Sequence, residues 1–206
     1  MMPLSQFAVI LLAAGFSRRM AGENKLTKTL LGKPLIAHAL ETIAGLGAGQ
    51  LVVVLGENDG DIAPLVPPSA IALRNSRAAE GMGTSLAAGA GAVDPALAGA
   101  FVALADMPFV TRADYERLAE AFLASRGEAI LIPVHQGQRG HPVLFRARDL
   151  QALAGLEGDR GARTILADPQ NLIREVEGAS SGTITDFDDQ ASFAAHKAYP
   201  PKAGST

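Results

Sequence analysis

The chain has 206 residues, enough for one domain with a substantial buried core. Its 18 basic and 21 acidic residues give a net charge of -3, which argues against nucleic acid or an anionic membrane surface as the main partner. The absence of cysteine excludes disulfides, thiolate metal sites and a cysteine nucleophile. Since no apolar run approaches the ~20 residues of a membrane-spanning helix, we expect a soluble, cytoplasmic protein. The first arginines follow the apolar segment instead of preceding it, so a signal peptide is not expected.

Apolar runs that are typical of buried strands alternate with segments of helical spacing over the first two thirds of the chain. This alternation predicts an α/β fold with a mostly parallel sheet covered by helices on both faces. We expect Thr111 to cap the third helix, with Asp114 at the capping-box position. The predicted strands are Phe7–Ala13, Gln50–Leu55, Ala70–Leu73, Ala100–Ala105 and Ala129–Pro133, and the predicted helices are Leu35–Leu46, Thr84–Val93 and Thr111–Ser125.

The alternation of predicted strands and helices changes after about residue 133. A turn is predicted at 135–138, a short strand at Pro142–Phe145 and a helix at Arg146–Leu156. We interpret residues 134–168 as an insertion that folds over the edge of the sheet, within a single domain of residues 1–199. Residues 200–206 are rich in Pro, Gly and Lys and are expected to be disordered.

The first buried run ends in a glycine, a serine and two arginines, and a lysine follows. The single glycine does not match the dinucleotide fingerprint, and the spacing does not match a Walker A loop. A loop with backbone N–H donors, two guanidinium groups and one ammonium group nevertheless suits a triphosphate. The alternative is a solvated basic turn. The residues concerned are Gly15, Ser17, Arg18, Arg19 and Lys25.

Four further segments hold residues that suit a binding or catalytic site, but each also has a simpler structural explanation. Asp106 follows the run 100–105 at the same predicted sheet edge as the first loop, where it can bind Mg²⁺ or only turn the chain. Residues 80–86 open a helix of small residues, which close packing alone would explain. The segments 139–145 and 158–163 are consistent with a packed histidine and a helix-capping turn. The acids at 185–189 suit either a solvated turn or a metal site.

Taken together, these motifs resemble those of a known enzyme family. The segments Leu12–Met20, Asn24–Leu26 and Gly32–Leu35 look like the signature of the sugar-nucleotide-pyrophosphorylase-like nucleotidyltransferases, and among these the chain most resembles the molybdenum cofactor cytidylyltransferases. The resemblance covers about residues 7–195. It implies a Rossmann-like three-layer α/β/α fold of the nucleotide-diphospho-sugar transferase type, with a small inserted acceptor-binding subdomain. Ala21 and Asp189 depart from the family pattern, which has glycine and threonine there.

The resemblance also implies a role for each matching residue. Arg19 and Lys25 would hold the triphosphate, and Asp106 would hold Mg²⁺. The remaining first-loop contacts to the nucleotide fall on Leu12, Ala13, Ala14, Gly15, Ser17 and Arg18. Contacts to the base and ribose fall on Gly81, Met82, Ser85 and Leu86, contacts to the acceptor on Arg139, His141, Asp159 and Arg163, and the second metal ligand on Asp188 or Asp186.

The implied reaction transfers CMP from CTP to the phosphate of molybdopterin and releases pyrophosphate. A molybdenum hydroxylase apoenzyme, or its cofactor-insertion chaperone, would then receive the product. One alternative is an enzyme of the same fold that uses GTP or another phosphorylated acceptor, such as a sugar phosphate. Another is a non-catalytic chaperone that binds the mature molybdenum cofactor.

Overall fold

The computed structural model describes residues 4–14, 24–57, 59–159, 161–188 and 192–194. The predicted tail at 200–206 lies outside this part of the chain. The strands are β1 Phe7–Leu12, β2 Thr29–Leu30, β3 Lys33–Pro34, β4 Gln50–Leu55, β5 Ile71–Arg74, β6 Gly99–Leu104, β7 Ile130–His135, β8 Gln138–Arg139, β9 Val143–Arg146 and β10 Ile173–Val176. The helices are α1 Leu35–Ala44, α2 Met82–Gly91, α3 Arg112–Ala124, α4 Leu150–Ala154 and α5 Arg163–Ala167.

The main sheet is mostly parallel, as predicted. From one edge to the other its order is β5, β4, β1, β6, β9, β7 and β10, and β8 pairs with β7 beside this path. The strand β9 runs antiparallel to both of its neighbours, and β8 runs antiparallel to β7. The chain passes from β1 outward through β4 to β5 and then returns to place β6 on the other side of β1. Ligands of α/β proteins bind at such a reversal, beyond the carboxyl ends of the strands.

Alternating residues of β1 separate the core into two layers. Val9 and Leu11 pack in the cluster that contains α1 and α3, whereas Ala8 and Ile10 pack in the cluster that contains α2. This alternation follows from the two-residue period of a strand. The helix α2 lies very close to the sheet, because a Cβ atom on Gly89 would come within 2.5 Å of Ile10 Cγ2. The three-layer α/β/α arrangement is therefore confirmed.

The start of α3 also anchors the C-terminal segment. The Thr111 N–H donates a hydrogen bond of 2.8 Å to the Asp114 carboxylate, which confirms the predicted cap. The same carboxylate accepts hydrogen bonds from the backbone N–H and the hydroxyl of Ser180, at 2.8 and 2.7 Å. Asp114 is buried, and its capping position thus fixes the segment that leads to the acidic residues near 186.

The prediction that residues 134–168 fold over the edge of the sheet is wrong for β9. This strand lies inside the sheet, between β6 and β7, and all four of its residues are buried. Its apolar side chains extend the core, and its backbone pairs with β6 over four residues and with β7 at Leu144. The predicted helix over 146–156 is shorter, with a 3-10 turn at Ala147–Asp149 followed by α4. Within the described residues, no helix has the length and apolar character needed to cross a membrane.

Candidate active site

A cleft of about 590 Å³ opens at the carboxyl ends of β1 and β6, where the strand order reverses. Its walls come from six separated parts of the chain. The described residues that line it are Leu12, Ala14, Lys25, Leu26, Ala78, Ala79, Glu80, Gly81, Met82, Ser85, Leu104, Asp106, Asp159, Asp186 and Asp188.

Asp106 enters the cleft directly after β6. The Ala105 N–H donates to the Leu12 carbonyl over 3.1 Å, so the pairing of β6 with β1 continues past the strand ends. The Asp106 carbonyl accepts a hydrogen bond from the Phe187 N–H, also at 3.1 Å. These two bonds place the Asp106 side chain above the centre of the sheet and bring the C-terminal acidic segment beside it.

Asp186 and Asp188 flank a buried aromatic residue. Phe187 is fully buried, and its ring makes edge-to-face contacts with Phe109 and Phe193, with centroids 5.6 and 5.2 Å apart. Burial of the aromatic ring holds the segment in place, and both neighbouring carboxylates line the cleft. Burial, followed by the charges of Asp188 and Asp106, raises the pKa of Asp186. The three carboxylates therefore lie near enough to affect one another.

Lys25 stands between two of these carboxylates. Its Nζ lies 2.6 Å from Asp106 Oδ2 and 2.5 Å from Asp188 Oδ1. Burial lowers the pKa of Lys25, but the charges and hydrogen bonds of the two aspartates outweigh it, so the pKa lies above its ordinary value. The ammonium group is thus held charged inside an acidic cluster. The structure brings together Lys25, Asp106 and Asp188, which the sequence predicted for one site.

The chemistry of this cluster fits a divalent cation. The described residues contain no ready-made group of three or more His, Asp or Glu side chains for a metal ion. Mg²⁺, however, is usually bound through one or two carboxylates together with substrate phosphates and water. Asp106 and Asp188 already face a single cationic nitrogen, and Asp186 lies close by. Among the described residues of the cleft, these carboxylates are therefore the ones whose chemistry suits a divalent cation.

The first turn of α2 forms another wall of the cleft. Gly81 has a φ of 131°, and a Cβ atom on it would come within 2.5 Å of the Gly158 carbonyl group. The Gly83 N–H donates to the Gly158 carbonyl oxygen over 2.9 Å. Because these glycines have no side chains, the loop at 157–159 sits directly on the helix and carries Asp159 into the cleft.

The other residues predicted to contact the base and ribose differ in their exposure. Met82 is 52% exposed and lines the cleft. Ser85 also lines it, although it is buried, and its Oγ accepts a hydrogen bond of 3.0 Å from Asn75 Nδ2. Leu86 is buried in the core cluster beneath α2 and does not line the cleft.

The described part of the first loop lies at the end of β1. Leu12 and Ala14 line the cleft. Ala13 is buried, and its N–H donates to the Val54 carbonyl over 2.9 Å. The predicted nucleotide-binding residues Gly15, Ser17, Arg18 and Arg19 lie outside the described residues.

The predicted acceptor residues do not all meet at the cleft. Asp159 lines it, whereas Arg139 is exposed and pairs with Glu175 on β10 at 2.6 Å. Arg163 is exposed at the start of α5. His141 does not line the cleft, and its Nδ1 lies 3.5 Å from the Val102 carbonyl oxygen on β6. Burial lowers the pKa of His141, against the opposing effects of that carbonyl and of Asp106.

Several cleft residues were not predicted from the sequence. Residues 78–80 directly precede Gly81, so their place in the chain was the available signal. Glu80 pairs with Arg77 at 2.8 Å. Leu26 and Leu104 are apolar residues beside Lys25 and Asp106, and their types gave no indication of a functional position.

A parallel sheet with a cleft at its strand reversal, lined by a lysine and several carboxylates, is typical of α/β proteins that bind nucleotides. The family comparison agrees. Residues 9–175 match the model of the MobA-like NTP transferase domain, and the chain belongs to that family.

The sequence identities to individual relatives are low. The bifunctional protein GlmU of Agrobacterium fabrum is 27% identical over 132 residues, which are 63% of this chain and 29% of that protein, so the chain spans under a third of this relative. Rv0371c of Mycobacterium tuberculosis has a TM-score of 0.80 at 21% identity, covering 95% of this chain and 100% of that one, and it has also been solved in complex with manganese. Molybdopterin-guanine dinucleotide biosynthesis protein A of Archaeoglobus fulgidus has a TM-score of 0.68 at 19% identity, covering 92% and 96%. At these identities the structures show a shared fold.

Proposed function

We propose that the chain is a nucleotidyltransferase that transfers CMP from CTP to the phosphate of molybdopterin and releases pyrophosphate. The observation that carries this proposal is the cluster of Lys25, Asp106 and Asp188 at the strand reversal, next to the first turn of α2. A cationic group and clustered carboxylates suit a nucleotide triphosphate with its divalent cation. Membership of the MobA-like NTP transferase family supports the same reaction class.

The reaction needs little from the protein except positioning. A phosphate oxygen of the acceptor attacks the α-phosphorus of CTP, a new P–O bond forms, and the bond to the bridging oxygen of pyrophosphate breaks. The attacking phosphate is already anionic near neutral pH, so no general base is required. The protein holds two polyanions in line and neutralises the charge that develops on the leaving group. Lys25, together with Arg18 and Arg19, is assigned to the triphosphate.

Asp106 and Asp188 are the residues that would hold Mg²⁺, with Asp186 as the further candidate. Mg²⁺ held there would offset the negative charge of the phosphates. Because Lys25 pairs with the same carboxylates, we infer that its ammonium group turns from them towards the phosphates as nucleotide binds. Retention of both Lys25 and Asp106 favours catalysis over simple cofactor binding.

The walls of the cleft support a division between base and acceptor. The exposed Met82 offers an apolar contact for the flat face of a base, and Gly81 and Ser85 lie beside it. We choose CTP over GTP because residues 81–86 resemble the segment by which the cytidylyl enzymes differ from their guanylyl relatives. Asp159 is the acceptor residue that the cleft supports best. A molybdenum hydroxylase or its cofactor-insertion chaperone remains the proposed recipient of the product.

The direct test is incubation with molybdopterin, Mg²⁺ and CTP, GTP or ATP in turn, followed by mass analysis of the product and measurement of pyrophosphate. We expect the cytosine dinucleotide form of the cofactor. Equal use of GTP would contradict the cytidylyl assignment, and tight cofactor binding without pyrophosphate release would indicate a chaperone.

A variant then tests the assignment of the carboxylate. We expect Asp106→Asn to lower the rate of pyrophosphate release by about 100-fold or more, since it removes a charge at the site where the cation binds. Asp61→Asn is the matched control, because Asp61 is exposed and does not line the cleft. Full activity in Asp106→Asn with an unchanged fold would remove Asp106 from the site.

A further inference from the structure

We propose that Asp59 is a positioning residue for Lys25, acting through Asn24; this inference rests on the proposed function of Lys25 in binding phosphate. Asp59 is only 7% exposed and does not line the cleft. It lies in the turn after β4, the strand that pairs with β1. A buried carboxylate is costly unless its oxygens are hydrogen-bonded, so the contacts of Asp59 indicate its purpose.

Both oxygens of Asp59 accept hydrogen bonds from groups near the cleft. Oδ1 accepts from Asn24 Nδ2 at 2.7 Å, and Oδ2 accepts from the Gly56 N–H at 2.5 Å. Gly56 in turn lies against the end of β1, since a Cβ atom on it would be 3.8 Å from Ala14 Cα. Asp59 therefore links Asn24 to the strand ends that border the cleft.

Asn24, held by Asp59, in turn fixes the backbone of the turn that carries Lys25. Asn24 Oδ1 accepts from the Leu26 N–H at 3.1 Å and caps the 3-10 turn Lys25–Thr27. The Asn24 carbonyl accepts from the N–H and the hydroxyl of Thr27, at 3.1 and 2.9 Å. With Asp59 on its amide nitrogen, the Asn24 side chain has one orientation that satisfies every partner.

A well-ordered backbone matters at Lys25, because the lysine side chain is long and flexible. Its side chain has four rotatable bonds, and restraining it in one geometry costs conformational entropy. The Nζ of Lys25 nevertheless makes close contacts with both Asp106 and Asp188. Because Asp59 and Asn24 hold the backbone from which Lys25 projects, the ammonium group needs less ordering when it meets a phosphate.

The pair of side chains offers a test by exchange. In Asp59→Asn, the new amide cannot accept from both Asn24 Nδ2 and the Gly56 N–H, so one hydrogen bond is lost. In the double variant Asp59→Asn with Asn24→Asp, the amide at position 59 accepts from Gly56 and donates to the carboxylate at position 24. That carboxylate still accepts from the Leu26 N–H, so the exchange restores every hydrogen bond with donor and acceptor reversed.

The measurement uses calorimetric binding of inorganic triphosphate with Mg²⁺, which depends on neither the base nor the acceptor, together with kcat and KM for pyrophosphate release. We expect Asp59→Asn and Asn24→Ala each to weaken triphosphate binding about fivefold and lower kcat about tenfold. We expect Asp59→Asn/Asn24→Asp to recover most of both. Asp61→Ala, in the same turn but exposed, should match the wild type.

Thermal unfolding of each variant separates positioning from general stability, since a purely structural role would move the melting temperature without a matching change in triphosphate affinity. Unchanged triphosphate binding in Asp59→Asn, or no recovery in the exchange variant, would overturn the inference. Failure of the proposed function has a different signature: the wild type would bind triphosphate in a manner sensitive to Asp59 but would not make the cytosine dinucleotide.

Discussion

Lys25 occupies the place where a divalent cation would neutralise the acidic cluster. Its Nζ is within 2.6 Å of carboxylate oxygens of both Asp106 and Asp188. Opposite charges at this distance in a half-buried cleft attract strongly, and a second cation brought to the same carboxylates is repelled by the ammonium group. Under the proposed function, the lysine and the metal would therefore compete until a triphosphate offers the ammonium group another partner.

This competition predicts opposite effects of one substitution on two measurements. Lys25→Met should strengthen binding of Mn²⁺ in the absence of nucleotide by about tenfold, or about 1.4 kcal/mol, because the repelling charge is gone. It should also lower the rate of pyrophosphate release by about 100-fold, because a cation facing the phosphates is lost. Electron paramagnetic resonance measures free Mn²⁺ directly.

Lys33→Met is the control for a lost lysine charge. Lys33 pairs with Glu41 on α1 and does not line the cleft, so both measurements should stay near those of the wild type. Weaker Mn²⁺ binding in Lys25→Met would contradict this competition and show that the carboxylates need the lysine to hold their arrangement.

The sequence predicted these residues better than it predicted their contacts. Asp106 follows a buried run of residues, and the carboxyl end of that strand locates it at the sheet edge. The pairing of Lys25 with Asp188 spans 163 positions in the chain and depends on the burial of Phe187, so no local pattern shows it. Leu86 was grouped with Met82, but it lies about one helical turn further along, in the core.

At the scale of elements, the first turn of α2 and the loop at 157–159 form one wall. A Cβ atom on Gly83 would come within 2.6 Å of the Gly158 carbonyl oxygen and 2.9 Å of the Glu157 carbonyl oxygen. Both obstacles are backbone atoms, which cannot turn aside as a side chain can. The position of Asp159 in the cleft thus depends on a glycine in a different element.

Gly83→Ala is expected to displace the loop and with it Asp159. We expect KM for the acceptor to rise about tenfold and stability to fall by about 1 to 3 kcal/mol, as for other overpacked positions. Gly91→Ala, at the other end of the same helix, is the control, because a Cβ atom there meets nothing within 4 Å. Alanine also favours a helix by up to about 1 kcal/mol over glycine, so Gly91→Ala should be as stable as the wild type or more so.

Steady-state kinetics and thermal unfolding distinguish the two variants. If Gly83→Ala changes the unfolding temperature but leaves KM for the acceptor unchanged, the loop does not position the acceptor. The sequence indicated a tightly packed helix start here, since small residues cluster at 81–91. It did not show the packing partner, because the loop at 157–159 is distant in the chain and has no periodic pattern of its own.

At the scale of the whole molecule, the chain after residue 129 contributes strands to the main sheet. The strand β9 lies between β6 and β7, and β7 pairs with β10 at the edge. The alternation of strands and helices was sufficient to predict the layers. The position of β9 was not predictable from its short apolar run, because an interior antiparallel strand and an edge strand differ mainly in which distant strands they meet.

Arg146, the last residue of β9, connects several segments that flank β7, β9 and β10. Its side chain is 4% exposed and makes two hydrogen bonds to Asp149, at 2.7 and 2.5 Å. It also donates to Asn171 Oδ1, before β10, at 2.5 Å and to the Glu128 carbonyl, before β7, at 2.8 Å. A buried guanidinium group with this many partners is costly to remove, because each partner is left without its donor.

We therefore expect Arg146→Met to lower the free energy of unfolding by about 3 to 5 kcal/mol, the range for breaking a buried ion pair. Arg148→Met should change it by less than about 1 kcal/mol, because Arg148 is exposed and pairs with Glu128 at the surface.

Because β9 is an interior strand, the loss of stability in Arg146→Met should shift one cooperative unfolding transition to a lower urea concentration. Two separate transitions, detected by far-ultraviolet circular dichroism and by tyrosine fluorescence, would instead show that the segment after β7 unfolds as a unit of its own. In a Tyr199→Phe background, the fluorescence comes from Tyr115. This residue on α3 packs against Phe101 of β6, so its fluorescence reports on the central sheet, whereas circular dichroism reports on all the helices and strands.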